Sequence, residues 1–261
     1  MSKCALLLHG YLTGPFDFDP LVLSIKEYYD HVELVTYPGH EEGNVNYKGF
    51  TAKSTIELVI HTVEKMRGMY DFVDIFGYSM GGALGLYMAS IYKIRKLVLI
   101  APAIKYFNTK GIVQEYFQIQ SAKKNFRKAK RKQNIDEISK TKMVLDGLMA
   151  DFGVAKQHLV SHFIKTHIFR TYHQFRKLIK MCQNNVGELD CKTFIVWGEI
   201  DQLVPRESIR YIFKKCKTEK NSIEYIEYPH LTHLVLGSST NTKILTDIRN
   251  FIEEEDANSN T

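Results

Sequence analysis

Long apolar runs are missing from this 261-residue chain. No stretch approaches the roughly 20 residues that cross a bilayer as a helix, so the sequence predicts no membrane span. The N-terminal apolar run Cys4–Leu8 stops at His9, too soon for the core of a secretory leader, and it reads as a strand. Cysteine is sparse: Cys4, Cys182, Cys191 and Cys216 show no CxxC spacing and no close pairing. Free thiols in a reducing compartment are expected, with Cys182 and Cys191 left open as neighbours, and the cytoplasm is the expected setting. No HExxH pattern is present, and no carboxylate completes the spacing of His158, His162 and His167. These read as scattered histidines, and no metal or organic cofactor is expected. The net charge of +6 falls short of what a nucleic-acid binder carries, and no reader motif accompanies it. Internal repeats and low-complexity segments are also absent.

What remains is an ordinary globular composition, 44% hydrophobic and 25% charged, sufficient for a large core. Strand-like runs at Cys4–Leu8, Val32–Thr36, Phe72–Phe76, Lys96–Ile100, Thr193–Trp197 and Ile223–Tyr228 alternate with helical patterns. Those patterns lie near Pro20–Tyr29, Ala52–Met69, Gly82–Ile91, Tyr172–Asn184, Arg206–Lys217 and Thr240–Glu254. This alternation predicts an α/β fold, a mostly parallel sheet with helices on both faces. The rhythm breaks between Ala101 and about Thr171, where aromatic, amphipathic helical patterns replace strands. The division expected is a core over 1–101 and 172–261 and a helical insertion over 102–171. Between Ala103 and Ala150 stand eleven basic and four acidic side chains, so this segment alone carries the chain's positive balance. Its run Lys123–Lys132 reads as a solvated helix face or, more sharply, as a surface that touches anionic lipid.

The chemistry concentrates after the third strand. Gly77-Tyr78-Ser79-Met80-Gly81 follows Phe72–Phe76 and precedes a helical pattern, the strand–turn–helix setting of a nucleophile elbow. The turn is sharp, so side chains at Gly77 and Gly81 would collide with strand and helix. Ser79 would stand at a helix N-terminus, where free N–H groups favour a developing negative charge. A serine needs a base and the base an orienting acid. Loops at strand ends offer both. Asp201 lies in Trp197-Gly198-Glu199-Ile200-Asp201-Gln202-Leu203-Val204-Pro205, with Glu199 as its rival. His233 lies in Pro229-His230-Leu231-Thr232-His233-Leu234-Val235, with His230 as the competitor. The backbone N–H of Met80 is one expected oxyanion donor. The second is the N–H of Tyr11 in the loop after the first strand, where Gly10 lets the backbone approach substrate. Phe16 and Phe18 follow that loop and are candidates to line an acyl pocket, with core packing the alternative.

Five segments in this order resemble the α/β-hydrolase superfamily, most closely its small bacterial carboxylesterase and monoacylglycerol-lipase-like branch. They are Leu6-Leu7-Leu8-His9-Gly10-Tyr11, Tyr37-Pro38-Gly39-His40, Gly77-Tyr78-Ser79-Met80-Gly81-Gly82, Trp197–Pro205 and Thr232-His233-Leu234-Val235. The resemblance implies Ser79, Asp201 and His233 as a catalytic triad and Tyr11 and Met80 as oxyanion donors. It also implies a cap inserted after the sixth of the family's eight strands, the chain starting at the third. Glu41-Glu42-Gly43-Asn44 departs from the family's usual pattern after His40. The activity implied is hydrolysis of short- or medium-chain carboxylic esters or monoacylglycerols. Acyl-thioester hydrolysis and acyl transfer use the same residues, and a ligand-binding protein that has lost turnover is a third reading.

Overall fold

The computed structural model describes residues 1–42, 47–105, 121–142, 144, 168–201, 203–215, 223–229, 231–233, 236 and 241–254. Six strands form one parallel sheet: β1 (Lys3–Leu8), β2 (His31–Val35), β3 (Phe72–Tyr78), β4 (Lys96–Ile100), β5 (Lys192–Gly198) and β6 (Ile223–Tyr228). Their spatial order is β2-β1-β3-β4-β5-β6. The chain therefore steps one way from β1 to β2 and the other way from β1 to β3. In an open α/β sheet, that reversal of direction marks the crevice where ligands bind.

Both faces of the sheet are apolar, as parallel sheets require. Strict pairing aligns Leu7 with Phe76, Phe76 with Val98 and Val98 with Phe194, a buried row across four strands. This row packs with Phe18, with Leu21 and Ile25 of α1 (Asp19–Ile25), and with Ile244, Ile248 and Phe251 of α8 (Asn241–Glu253). The opposite face meets α2 (Ala52–Met69) and α3 (Met80–Ile91). Thr51 caps α2, its hydroxyl accepting from the Ser54 N–H at 3.1 Å, which supplies one of the helix's orphan donors. Between β4 and β5 lies α6 (Ile168–Asn185), and α7 (Arg206–Lys215) joins β5 to β6.

Several expected elements differ in detail, among them α6, which begins at Ile168 rather than Tyr172, and α3, which begins at Met80 rather than Gly82. The helical pattern at Pro20–Tyr29 resolves into a 3-10 turn at Pro15–Phe18, then α1, then a second 3-10 turn at Lys26–Tyr28. β3 runs two residues past Phe76, because Gly77 and Tyr78 still pair with Leu99 and Ile100 of β4.

The N-terminal ends of the strands hold a buried polar network. Asp74 accepts from the Tyr29 hydroxyl at 2.7 Å and from the Lys96 N–H at 3.1 Å, and it forms a two-nitrogen ion pair with Arg95. Burial pushes its carboxyl up, against the pull of Arg95. The Lys96 ammonium, fully buried, donates to the carbonyls of Phe251, Ile252 and Glu254 at 2.9, 3.1 and 2.6 Å. A cation thus satisfies carbonyls that the end of α8 leaves open.

The chain divides into two compact units, Met1–Phe107 with Phe169–Thr261, and Asn108–Ile168. The sheet and all the elements above belong to the first, save the opening residue of α6. In the second, α4 (121–131) and α5 (135–142) are described. Ala122 and Ala129 are the buried positions of α4, while Lys124, Arg127, Lys128, Lys130 and Arg131 are exposed. Among the described residues no helix is long and apolar enough to cross a membrane. Cys4, Cys182 and Cys191 are buried, and among the described residues none of them forms a disulfide. Cys216 and the three histidines His158, His162 and His167 lie outside the described residues.

Candidate active site

Ser79 joins β3 to α3 with φ 53, a left-handed backbone angle that costs a non-glycine residue energy. Its neighbours hold it there. The Ser79 N–H donates to the Ile100 carbonyl at 2.9 Å, and its own carbonyl accepts from the N–H groups of Gly82 at 3.0 Å and Ala103 at 2.9 Å. Glycine is required on either side. A Cβ at Gly77 would stand 2.4 Å from the Gly81 carbonyl oxygen, and one at Gly81 would stand 1.7 Å from that of Leu8. The close approach of Gly81 to the end of β1 is what brings the loop after β1 against the elbow.

The loops after β5 and β6 meet opposite Ser79. The Ile200 N–H donates to the Leu231 carbonyl at 3.1 Å, and the Glu199 N–H to that of Tyr228 at 3.0 Å. Within the first loop, Asp201 turns inward. Its Oδ1 accepts from the N–H groups of Leu203 and Val204 at 2.8 and 2.9 Å. Its Oδ2 lies 2.8 Å from Nδ1 of His233, and Nε2 of that ring lies 2.9 Å from Ser79 Oγ. A carboxylate only accepts, so Nδ1 carries the proton and Nε2 is left to accept from the serine hydroxyl. The side chains of His233 and Asp201 are 6% and 0% exposed, so little water competes for these bonds. Glu199, the rival carboxylate, is exposed. His230 lies outside the described residues, as do Gln202, Leu234 and Val235.

Sequence reasoning gave Tyr78 no role. Its hydroxyl donates to the His233 carbonyl at 3.0 Å and its ring stacks on the imidazole at 5.4 Å between centroids. Full burial holds its phenol well above the usual tyrosine range, so it stays a donor. The middle residue of a Gly-Tyr-Ser turn offers no sequence signal for this contact with a loop 155 positions away.

The loop after β1 runs beside Ser79. Gly10 packs there: a Cβ on it would meet Thr13 Oγ1 at 3.2 Å and Ser79 Cβ at 3.4 Å. Tyr11, the next residue, is buried, its hydroxyl donating to Thr171 Oγ1 at 2.9 Å and its ring stacking on Phe175 at 4.6 Å. Met80 is fully buried at the first position of α3, where backbone N–H groups lack helical partners. Phe18 is sealed in the core with Leu21 and Phe251, and Phe16 is 67% exposed, so the two candidate acyl-pocket residues occupy a core position and a surface position.

Two buried histidines lie behind this loop. His9 Nδ1 lies 2.8 Å from the Gly10 carbonyl, and its ring sits 5.1 Å from that of His40. Burial drives their pKa values down to about 3 and about 4; the His40 ring adds to the shift of His9, while the Pro38 backbone and the Glu41 charge only partly offset burial at His40. Among the described residues no group of three or more His, Cys, Asp or Glu side chains could hold a metal ion.

Sheet order, elbow and converging loops define a protein of the α/β-hydrolase fold. The sequence profile of the hydrolase family described as serine aminopeptidase, S33, matches residues 55–239, more than half of the chain, and the protein belongs to that family. No curated protein sequence matches it. Several solved structures share its fold. A monoacylglycerol lipase from Paleococcus ferrophilus superposes with a TM-score of 0.63 at 15% identity, over 95% of this chain and 93% of that one. An esterase from Exiguobacterium antarcticum gives 0.60 at 15% identity, over 97% and 92%. An esterase from Pyrococcus furiosus gives 0.60 at 15%, over 96% and 81%.

Proposed function

We propose that the protein hydrolyses carboxylic esters, short- or medium-chain acyl esters or monoacylglycerols, through an acyl-enzyme on Ser79. The observation that carries this reading is the unbroken, buried line from Ser79 Oγ through the His233 ring to Asp201, at 2.9 and 2.8 Å. Nε2 of His233 takes the hydroxyl proton as Oγ attacks the carbonyl carbon. The tetrahedral oxyanion is met by the N–H groups of Met80 and Tyr11. Asp201 keeps the proton on Nδ1 and stabilises the imidazolium that forms. His233 then gives its Nε2 proton to the departing alkoxide, leaving the acyl group on Oγ. Water, deprotonated by the same nitrogen, attacks the ester so formed and releases the acid.

The catalytic residues proposed are thus Ser79, His233 and Asp201, with Tyr11 and Met80 as oxyanion donors and Gly10 making room for the substrate carbonyl. The mechanism asks for no cofactor or metal. Residues 102–171 are proposed as the family's cap insertion, and the exposed cations of α4 as a contact for anionic lipid rather than nucleic acid. Buried cysteines with no disulfide among the described residues fit a reducing, cytoplasmic setting.

A fluorophosphonate probe tests the nucleophile: it labels the wild type and leaves Ser79→Ala unlabelled, and equal labelling of both overturns the reading. p-Nitrophenyl esters of graded chain length then set the acyl preference. Acyl-CoA, and added acceptor alcohols, distinguish ester hydrolysis from thioester hydrolysis and transfer.

A further inference from the structure

Two polar groups in the segment after β1 take no part in the proton relay. Thr13 Oγ1 and Asp17 Oδ2 are both shut off from solvent, and neither makes a hydrogen bond. Buried polar atoms in native proteins nearly always have partners, because leaving water without one is costly. Both atoms belong to the loop that carries Gly10 and Tyr11. The Thr13 hydroxyl stands across Gly10 from the nucleophile, each within van der Waals reach of the space where a glycine Cβ would be.

Asp17 sits in the 3-10 turn Pro15–Phe18, its N–H donating to the Gly14 carbonyl at 3.1 Å. Its carboxyl feels His233, Tyr78 and Tyr47, with Asp19 the nearby like charge. Burial pushes its pKa up to about 6, while Thr13 and His233 pull the other way. Thr13 is thus near enough to favour the charged carboxylate, yet their geometry is not that of a hydrogen bond, and both oxygens remain open to a third group. A carboxylate oxygen can only accept, so that group must donate.

Its position follows from His233. The reading above has that imidazole protonate the leaving group; Thr13 stands across Gly10 from the nucleophile and Asp17 lies within the field of His233, which favours the alcohol half of the ester as the part the pair meets. We infer that Thr13 and Asp17 form a subsite that grips a hydrogen-bond donor, a hydroxyl or a protonated amine, on the alcohol moiety of the substrate. Asp17 accepts from the donor, and the Thr13 hydroxyl, free to rotate, accepts from or donates to the same moiety. The subsite selects esters of polar alcohols over esters of plain alkanols. This inference rests on the ester-hydrolase reading.

The test compares four butyrate esters with alcohol parts of similar size. n-Propyl butyrate has no donor, and 2-hydroxyethyl butyrate replaces its terminal methyl with a hydroxyl. 2-(Dimethylamino)ethyl butyrate, protonated at neutral pH, offers an N–H with its charge, and butyrylcholine offers the charge without a donor. Released butyrate gives kcat/KM for each. The wild type is expected to prefer 2-hydroxyethyl over n-propyl, or the dimethylamino ester over butyrylcholine, by about tenfold or more, the first ratio marking a hydroxyl and the second an ammonium. In Asp17→Ala and in Thr13→Val these ratios fall toward one. Because each ratio is taken within one enzyme preparation, partial loss of folded protein does not move it. Asp17→Leu, which fills similar space and has no acceptor, gives the same readout if the alanine variant does not fold.

Both wild-type ratios near one, or a raised ratio that stays unchanged in the variants, would each overturn the subsite. Failure of the underlying reading looks different: p-nitrophenyl butyrate is not turned over and Ser79 takes no fluorophosphonate label.

Discussion

The Tyr78 hydroxyl donates to the backbone carbonyl of His233 at 3.0 Å, while its ring lies against the imidazole at 26° between planes. Tyr78 is the last residue of β3 and precedes Ser79, so the strand that presents the serine also holds the histidine. Replacing Tyr78 with Phe keeps the stacking and removes one buried hydrogen bond, worth about 1 kcal/mol. The expected result is a kcat about tenfold lower with KM little changed, since proton transfer depends on placement. Steady-state kinetics on a p-nitrophenyl ester check this, and a change confined to KM would contradict it.

Ser79 is held at the elbow at the cost of backbone strain at φ 53. Ser79→Gly removes both the hydroxyl and the strain. It is expected to lose at least about four orders of magnitude in kcat while gaining about 1–3 kcal/mol in stability. Thermal and urea denaturation measure the gain. Ser79→Ala, which keeps the strained angle, should show the loss of activity without that gain.

Asp201 divides its two oxygens between the loop and the histidine. In Asp201→Asn the amide oxygen can keep the Leu203 and Val204 N–H bonds. Its NH2 then faces His233, where it favours the tautomer with the proton on Nε2. That nitrogen can no longer accept from Ser79. kcat is expected to fall by about 10⁴ with the melting temperature close to wild type. Nitrogen-15 chemical shifts of the imidazole would report the tautomer directly.

Asp17 carries a stability signature as well as a proposed binding role. Its folded pKa of about 6 lies above the 3.8 of an ordinary aspartate, so folding favours its protonated form. By linkage, its contribution is fully present below about pH 4 and is lost as pH rises through about 6. Asp17→Asn is therefore expected to melt a few degrees higher than wild type at pH 8, with the advantage vanishing near pH 4. Unfolding curves across that range check the sign. A variant less stable at pH 8 would mean the charged carboxylate has a partner in the folded protein.

Much of this architecture was legible in the chain. The six strand runs appear where β1 to β6 form: the central strands β1, β3, β4 and β5 are largely apolar because both faces are buried, while the edge strands β2 and β6 are half-buried and mix in polar residues. Gly77 and Gly81 flank Ser79 for a reason visible in their spacing and measured in the structure: no Cβ fits there. A threonine directly before the helical pattern Ala52–Met69 suits an N-cap, and Thr51 caps α2. The short helix after the loop of Gly10 was less legible. Pro15 and Pro20 allow several registers of 3-10 and α turns, and packing of Phe18, Leu21 and Ile25 against the sheet chose among them.

Sequence alone determined which residue types stood in which order: a serine in an elbow, then an acidic loop, then a histidine loop, each after a strand. Local rules suffice for that, since turns and strands are set by neighbours a few positions apart. Tertiary structure decided the pairings. Glu199 and Asp201 sit two residues apart in one loop, and only the bonds from that loop to Tyr228 and Leu231 turn the second inward and leave the first in water. Lys96 opens the strand run Lys96–Ile100, and nothing near it in sequence says that its ammonium is buried beneath the carbonyls that end α8, 155 residues later. Thr13 and Asp17 read as ordinary turn residues. Their lack of partners is a property of the surroundings the whole fold gives them, and composition, periodicity and spacing carry no record of it.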